Sequence, residues 1–340
     1  MVAGCSMRPM VLALAAAFTL VAVQAQSPQA PTFSVSVNLV KVPFSVFDHN
    51  GNLVKDLDRN DFQLWEDGIP QTIRSFGLDT NPVSAVLLLD SSATEKQDFT
   101  KIREAAEDFA NALSSDDRVS ILTFDDDVRR ILNWTSSTRD VHKTLSKVKP
   151  GLRTALYDAM YLAASEQLKG IEGRKAIILL TDCLNNQSSI GFPDAERAVV
   201  EAQATLYVVS KTVMVREEAR KDRRVIMLSD IYRRLFGDDD YIDQFFEKKE
   251  AEMSDLAEKT GGRCFFPTDY DQIRGEYKEV ARELKSKYYL TYISNQVKAP
   301  NTFHSIALQY VPGASKMTYR KGYFYEPAPI HKRIYPLIPQ

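Results

Sequence analysis

The chain has 340 residues, with 43 Lys and Arg against 45 Asp and Glu, which gives a formal net charge of −2. This length suits about two domains, and 44% hydrophobic with 26% charged residues is ordinary for a globular protein. A charge so close to zero gives no electrostatic support for general binding to nucleic acid or to an anionic membrane surface.

Residues 1–25 have the pattern of a secretory signal peptide. Arg8 precedes an uncharged apolar run from Met10 to Val23, and Ala25 ends a small-residue cleavage site. The run is shorter than the roughly 20 apolar residues of a spanning helix. We therefore predict an exported chain, periplasmic or secreted, with no membrane span after signal cleavage; an uncleaved membrane anchor is the alternative.

Two cysteines, Cys183 and Cys264, remain after the predicted cleavage. Two thiols make neither a disulfide framework nor a zinc site. They are able to pair in an oxidising compartment, but the sequence alone leaves their pairing open.

Residues 26–31 form a short polar linker, and residues 32–79 read as β structure. Val42, Phe44 and Val46 keep the period of two that marks a half-buried strand. Asn50-Gly51 is a hairpin signal, and Asp67-Gly68-Ile69-Pro70 is a turn between two further strands. This segment is predicted to be the N-terminal part of a β domain.

Residues 80–286 change to strands and helices in alternation. Ala85 to Leu89 and Ala176 to Leu180 are wholly apolar runs of strand length, as expected for strands covered on both faces. Within this part, residues 211–252 are predicted to be a charged helical insertion, with helices over 223–236 and 240–259. A solvated face explains the charges; a docking arm is the alternative.

Residues 287–325 return to β patterning, and 317–325 is predicted to be a single last strand. Residues 326–340 form a Pro-rich tail. The predicted fold class is α/β, with a doubly wound, mostly parallel sheet flanked by helices. This unit is inserted in a smaller β-sandwich-like domain built from both chain ends.

Three separate segments place oxygen donors after predicted strands or at a helix start. They are Asp90-Ser91-Ser92-Ala93-Thr94, Thr154 and Asp182. Carboxylates and hydroxyls are the hard donors that Mg²⁺ and Ca²⁺ prefer, and ligands of open α/β sheets bind at the carboxyl edge. Thr154 is also predicted to cap the helix that runs to residue 168.

Asp125-Asp126-Asp127 follow another predicted strand. We interpret this run as a solvated hairpin turn, with a cation-binding loop as the alternative.

The chain resembles the von Willebrand factor type A domain. The resemblance rests on Asp90-Ser91-Ser92-Ala93-Thr94, on Gly151 to Ala159 and on Leu179-Leu180-Thr181-Asp182. The flanking Asp61-Phe62, Glu66-Asp67-Gly68, Tyr288-Tyr289-Leu290 and Arg320 to Phe324 are similar to exported bacterial proteins related to that domain.

The resemblance implies a metal-ion-dependent adhesion site at the carboxyl edge of the sheet. It assigns the metal ligands as Asp90, Ser92, Thr94, Thr154 and Asp182. Mg²⁺ is the expected ion, with Mn²⁺ or Ca²⁺ possible. The family usually has Ser where Thr94 stands, which keeps a hydroxyl.

Three further residues are assigned supporting roles near this site. The family usually has Gly where Cys183 stands, so its side chain either crowds the partner side or is a small buried residue. Asp158 is expected to support the ligands or cap a helix rather than bind metal. Arg153 is expected to favour acidic partners, although surface exposure explains it equally well.

Three functions follow from these residues. The leading hypothesis is a non-enzymatic binding or adhesion protein whose cation engages an acidic group of a protein or polymer. A metal-dependent hydrolase of phosphatase type is the enzymatic alternative, with Asp90 as nucleophile. The third is a scaffold in which the metal only rigidifies the loops.

Overall fold

A computed structural model describes residues 38–92, 96–148, 151, 153–221, 233–234, 241–294, 296, 299–313 and 316–325. Predictions for the signal segment, the linker, the Pro-rich tail and Thr94 lie outside the described residues. Within these ranges, no helix combines the length and the apolar character needed to cross a bilayer.

The strands are β1 (Leu39–Phe47), β2 (Phe62–Glu66), β3 (Ile69–Pro70), β4 (Ile73–Leu78), β5 (Val83–Asp90), β6 (Arg118–Phe124), β7 (Val128–Thr135), β8 (Arg174–Thr181), β9 (Thr205–Ser210), β10 (Cys264–Phe265), β11 (Tyr288–Ile293), β12 (Phe303–Tyr310), β13 (Lys316–Tyr319) and β14 (Gly322–Phe324). The helices are α1 (Lys96–Ala112), α2 (Thr138–Leu145), α3 (Leu156–Leu162), α4 (Phe192–Glu201), α5 (Thr212–Ala219), α6 (Tyr241–Lys259) and α7 (Tyr270–Lys285).

The central sheet has six strands in the order β10-β9-β8-β5-β6-β7. All neighbours are parallel except β6 and β7. Strand β5 lies in the middle, and all eight of its residues are buried, because helices cover both faces of a doubly wound sheet. The predicted fold class is confirmed in this sheet.

Helices α1, α2 and α7 pack on one face of the sheet, and α3, α4 and α6 pack on the other. Phe109 of α1 meets Tyr277 of α7 edge to face, with ring centroids 6.0 Å apart. Such aromatic pairs stabilise a core beyond the area they bury. The alternating strands and helices therefore form one sheet with two apolar cores.

Two antiparallel sheets are built from both chain ends, in the orders β13-β1-β11-β4 and β14-β12-β2-β3. Their apolar faces share one core, in which Phe44 of the first sheet lies 4.9 Å from Phe62 of the second, measured between ring centroids. Asp67 and Gly68 both have positive φ and join β2 to β3, as a two-residue hairpin turn requires.

The predicted single strand over 317–325 is wrong, because β13 and β14 belong to different sheets. The chain changes sheet at Arg320 and Lys321. Gly322 allows this crossing: a Cβ there would lie 2.5 Å from the carbonyl oxygen of His304. The Asn50-Gly51 turn is also weaker than a full hairpin, since it closes only one bridge, between Phe47 and Leu53.

In the charged segment 211–252, the helix predicted over 240–259 is observed as α6, and α5 precedes it. The helix predicted over 223–236 lies almost wholly outside the described residues.

Candidate metal site

The candidate site lies at the carboxyl edge of the central sheet, between β5 and β8. These strands are parallel neighbours, and Leu89 pairs with Leu180. Asp90 and Asp182 therefore leave the sheet side by side. The sheet winds in opposite directions from this pair of strands, which is where open α/β sheets form a ligand crevice.

Asp90, Ser92 and Thr154 form a continuous chain of oxygen contacts. Asp90 is fully buried, and its Oδ1 accepts hydrogen bonds from the Ser92 backbone N at 2.9 Å and from Ser92 Oγ at 2.5 Å. Thr154 Oγ1 donates to Ser92 Oγ at 2.9 Å. The structure thus brings together donors from two loops 62 residues apart in the sequence.

Asp182 supplies the third segment of this edge and its second carboxylate, and it is half-buried. Burial and the nearby charge of Asp90 raise the pKa of Asp182 to about 6, and the Lys211 ammonium opposes that rise. The Asp90 carboxylate therefore disfavours the charged form of Asp182. A divalent cation bound between them would remove this repulsion, so the donor set fits such an ion.

Among the described side chains, no group of three or more His, Cys, Asp and Glu residues is placed to hold a metal. The candidate donors are instead two carboxylates and two hydroxyls. Oxygen-only sets of this kind suit Mg²⁺, Mn²⁺ and Ca²⁺ rather than softer ions.

The prediction that Thr154 caps the following helix is wrong. Ala155 occupies the N-cap of α3 and makes no side-chain cap bond. The first amides of α3 donate to a different loop: Leu156 N to Asn185 Oδ1 at 3.1 Å, and Tyr157 N to Ser188 Oγ at 3.0 Å. Since that loop caps the helix, the Thr154 hydroxyl is turned to Ser92.

This capping loop was missed at the sequence level. Asn186 Oδ1 also accepts the backbone N–H of Thr154 at 2.9 Å, which fixes the position of that residue. The available signal was the polar run 185–188 directly after Asp182, because Asn and Ser at such positions often bond to neighbouring backbone.

Asp125 was also missed as part of the site. Asp126 and Asp127 are exposed, as a hairpin turn predicts, but Asp125 is 1% exposed. Its carboxylate accepts from Ser91 Oγ at 3.1 Å and from both terminal nitrogens of Arg129. Because Asp125 is bound in this way, it supports the Ser91 loop rather than serving as a cation loop.

Gly151 lets the two ligand loops approach. Its N–H donates to the Ser91 carbonyl at 2.9 Å, and a Cβ at this position would lie 2.5 Å from Asp125 Cγ. We expect Gly151→Ala to weaken Mn²⁺ binding about tenfold or more, as loss of groups that orient metal ligands does. Overpacking should also cost about 1–3 kcal/mol of unfolding free energy. Calorimetric titration and thermal unfolding measure the two effects.

Gly275→Ala is the matched control for this substitution. Gly275 lies on α7 with nothing within 4 Å of the added methyl group and without a positive φ, so Mn²⁺ affinity should not change and stability should rise slightly. Wild-type affinity in Gly151→Ala would contradict the close approach of the loops.

Within the described residues, the side-chain hydrogen bonds of Asp158 and Arg153 lead away from the oxygen cluster. Asp158 accepts the backbone N–H groups of Ser189 at 2.9 Å and Ile190 at 3.2 Å, and so ties α3 to the capping loop. Arg153 is exposed and donates to Gln187 Oε1 at 2.8 Å.

Cys183 turns its thiol into the core. It has a positive φ of 61° and is 1% exposed, with Sγ 3.4 Å from Ser210 Oγ. The positive φ gives a backbone reason for the glycine usual in the family. Cys264 is half-buried, and both cysteines are free thiols. Burial raises the pKa of both thiols, that of Cys264 to about 12.

Comparisons with known proteins find one family model that matches the segment carrying this edge. Residues 85–185 match the family model described as the von Willebrand factor type A domain. No curated protein matches the sequence significantly.

Solved structures similar to the chain include three from different organisms. Proximal thread matrix protein 1 from the mussel byssus, solved with a zinc-occupied MIDAS motif, is 14% identical; the match covers 64% of this chain and 49% of that one, with a TM-score of 0.46. BatB from Bacteroides thetaiotaomicron is 18% identical; the match covers 60% of this chain and 100% of BatB, with a TM-score of 0.41.

A von Willebrand factor type A protein from Catenulispora acidiphila is 9% identical; the match covers 83% of this chain and 73% of that protein, with a TM-score of 0.45. The match spans about half the length of the mussel protein. Residues 85–185, which carry Asp90, Ser92, Thr154 and Asp182, are thus similar to the von Willebrand factor type A domain.

Proposed function

We propose that this chain is an exported, non-enzymatic binding protein that engages an acidic group of a protein or polymer through a divalent cation. Asp90, Ser92, Thr94, Thr154 and Asp182 would hold the cation, with Mg²⁺ as the expected ion. The main support for this proposal is the chain of hydrogen bonds from Asp90 through Ser92 to Thr154 at the carboxyl edge of the sheet.

The charges of the site favour an acidic partner. The two carboxylates add no more negative charge than the divalent ion neutralises, and the hydroxyl donors add none. The bound ion can therefore still accept a further carboxylate oxygen as a ligand. When bound, the cation would supply a positive centre for that oxygen. Arg153 adds an exposed positive charge beside Thr154, which assists the approach of an acidic group.

The surrounding side chains support binding rather than hydrolysis. The buried carboxylate nearest the cluster, Asp125, is held by Arg129 and Ser91. His142 bonds to Glu107 on the α1–α2 side, and His304 bonds to Asp67 in the antiparallel sheets. None of these groups is therefore placed as a proton-transfer partner for Asp90.

Retention on beads coated with poly-L-glutamate, with poly-L-glutamine beads as the neutral control, tests the binding function. In Mg²⁺ at 0.15 M salt we expect retention of the wild-type chain on glutamate beads, and loss of at least about tenfold in EDTA. Asp90→Asn should lose it in both buffers. Equal retention with and without EDTA would contradict the proposal and favour the scaffold hypothesis.

A turnover assay separates the enzymatic alternative. Release of p-nitrophenol from p-nitrophenyl phosphate by the wild-type chain, absent in Asp90→Asn, would favour the hydrolase and overturn the non-enzymatic assignment.

Export is tested by N-terminal sequencing of the chain recovered from the cell envelope and culture medium of an expressing bacterium. A new N-terminus at Gln26 is the expected result. An intact Met1 in a membrane fraction would favour the anchor.

A further inference from the structure

A cavity of about 390 Å³ lies at the end of the central sheet opposite the candidate metal site. Arg174 and Lys175 begin β8 on one wall, and Thr205 begins β9 beside them. Lys41 of β1 and Arg320, between β13 and β14, come from the antiparallel sheets. The cavity therefore lies where the two parts of the fold meet.

Two of the cations at this cavity have carboxylate partners. Lys41 Nζ lies 2.6 Å from Asp79 Oδ2, and Lys287 Nζ lies 3.1 Å from Glu283 Oε1. The charges of Lys41 and Lys287 are therefore neutralised by these carboxylates. The remaining cations at the cavity are Arg320, Arg174 and Lys175.

Arg320 is only 6% exposed and has no carboxylate partner in the described part of the chain. One terminal nitrogen donates to the Lys41 carbonyl, while Nε is buried and makes no hydrogen bond. A buried guanidinium left in this way costs free energy, because it has lost water without gaining a full set of acceptors.

Arg174 and Lys175 line the same cavity. Arg174 donates to backbone carbonyls, among them that of Leu284 at 2.5 Å, and not to a described carboxylate. Lys175 is half-buried, and its ammonium makes no hydrogen bond or ion pair with the described residues. Burial lowers the pKa of Arg174, and the charges of Asp79 and Asp117 oppose that shift. Arg320 and Lys175 thus line the cavity without an ion pair to a carboxylate of the described chain.

The pKa values of Arg320 and Lys175 are lowered in this cavity. Burial lowers the pKa of Arg320 to about 10. Burial and then the charge of Arg320 lower the pKa of Lys175. An anion in the cavity would reverse both effects, since an opposite charge within about 4–6 Å favours the charged form.

The carboxylates around the cavity do not form ion pairs with Arg320 or Lys175. Glu201 pairs with Arg197 at 2.7 Å, Asp79 pairs with Lys41, and Glu172 is exposed. The apolar part of the lining comes from Ile171 and Leu284. The volume is at the lower end of the range for small-molecule sites.

We propose that Arg320, Lys175 and Arg174 form a binding site for a small oxyanion, a phosphate monoester or carboxylate that carries a compact apolar group. The Arg320 guanidinium supplies a permanent positive charge and N–H donors suited to an oxygen of such an anion. Lys175 supplies a second charge, and the apolar wall receives the remainder of the ligand. This site is separate from the metal site and does not depend on the proposed adhesive function.

Calorimetry and thermal unfolding with phenyl phosphate, benzoate and inorganic phosphate, each at constant ionic strength against chloride, test the site. We expect saturable binding of at least one probe and a rise in Tm of at least about 3 °C at 100 times its Kd. Tighter binding of phenyl phosphate than of benzoate would assign a phosphate ligand, and the reverse order a carboxylate.

Lys175→Gln should weaken binding about tenfold or more, because it removes one charge that faces the anion. Lys143→Gln is the matched control: it removes the same charge from an exposed position on α2 and should bind as wild type. Equal affinity in Lys175→Gln and wild type, or no saturable binding of any probe to the folded wild-type chain, would overturn the proposal.

Lys175→Glu gives a second test, in which the Tm is expected to rise rather than fall. Its carboxylate would take the place of the anion beside Arg320. We expect a higher Tm than wild type in chloride buffer and no further rise with phenyl phosphate. A lower Tm together with a retained anion-dependent shift would contradict the site.

Discussion

Asp90→Asn is expected to weaken Mg²⁺ and Mn²⁺ binding by at least about 100-fold, the largest effect on the candidate metal site. Residues that only orient metal ligands already contribute about 10–100-fold, and Asp90 supplies one of the two negative charges. Asn keeps the size and the acceptor that binds the Ser92 backbone N–H. The loss therefore reports the missing charge rather than a collapsed loop.

Isothermal titration calorimetry with Mn²⁺ and Mg²⁺ measures this effect, with circular dichroism to show that the fold is kept. Asp127→Asn is the matched control, since it removes a carboxylate from an exposed position in the nearby turn. Its affinity should stay within about twofold of wild type. Identical heats in Asp90→Asn and wild type would contradict the assignment of Asp90.

Chelation should also change stability if the site binds metal. A ligand that binds only the folded chain raises Tm with the logarithm of its free concentration over Kd, so EDTA should lower the Tm of the wild type measured in millimolar Mn²⁺. Asp90→Asn should show the same Tm with and without EDTA.

The α/β part was predictable because its buried strands contain unbroken apolar runs, such as Ala85 to Leu89 and Ala176 to Leu180. Val86 and Ile177 lie in strands covered on both faces, so no other assignment satisfies both their length and their hydrophobicity. The boundary between β13 and β14 was not predictable, because β patterning continues through Arg320 and only the contact of Gly322 with a neighbouring strand shows the crossing.

The candidate ligands were identifiable for a similar reason. Asp90 and Asp182 each stop an apolar strand, and parallel strands end at one edge. Their assignment as metal ligands stays a prediction. Asp125 and Asn185 were not identifiable in these roles, because their partners, Ser91 and the Leu156 backbone, are 34 and 29 residues away in the sequence.

The largest loss of stability is expected at Glu283, which joins the two parts of the fold. This carboxylate is 1% exposed and accepts hydrogen bonds from Lys287 Nζ at 3.1 Å and Arg263 Nε at 2.9 Å. It also accepts from Tyr207 of the central sheet at 3.0 Å and Thr318 of β13 at 3.3 Å. Glu283 of α7 thus satisfies donors from the segments beside β10 and β11, from the central sheet and from the antiparallel sheet.

Glu283→Leu should lower the unfolding free energy by about 3–5 kcal/mol, because Lys287 is 3% exposed and would keep its charge without a counter-ion. Burial raises the pKa of Glu283, but the charges of Lys287 and Arg263 outweigh it and the net pKa is lowered. The stabilisation is therefore complete above the ordinary Glu pKa of 4.5 and is lost as the pH falls through the lower folded-state value. Urea unfolding at pH 7 measures the effect.

Glu279→Gln controls for the loss of a charge on α7, since Glu279 pairs with Arg282 at the surface, and it should change stability by less than about 0.5 kcal/mol. Glu283→Leu combined with Lys287→Met should recover about half of the loss, since the uncompensated buried ammonium is then gone. Arg263 would still lack its partner, so recovery stays incomplete. If the single and double substitutions unfold at the same urea concentration, lost packing rather than the buried charge explains the effect, and the role of Glu283 as the electrostatic link between the sheets is wrong.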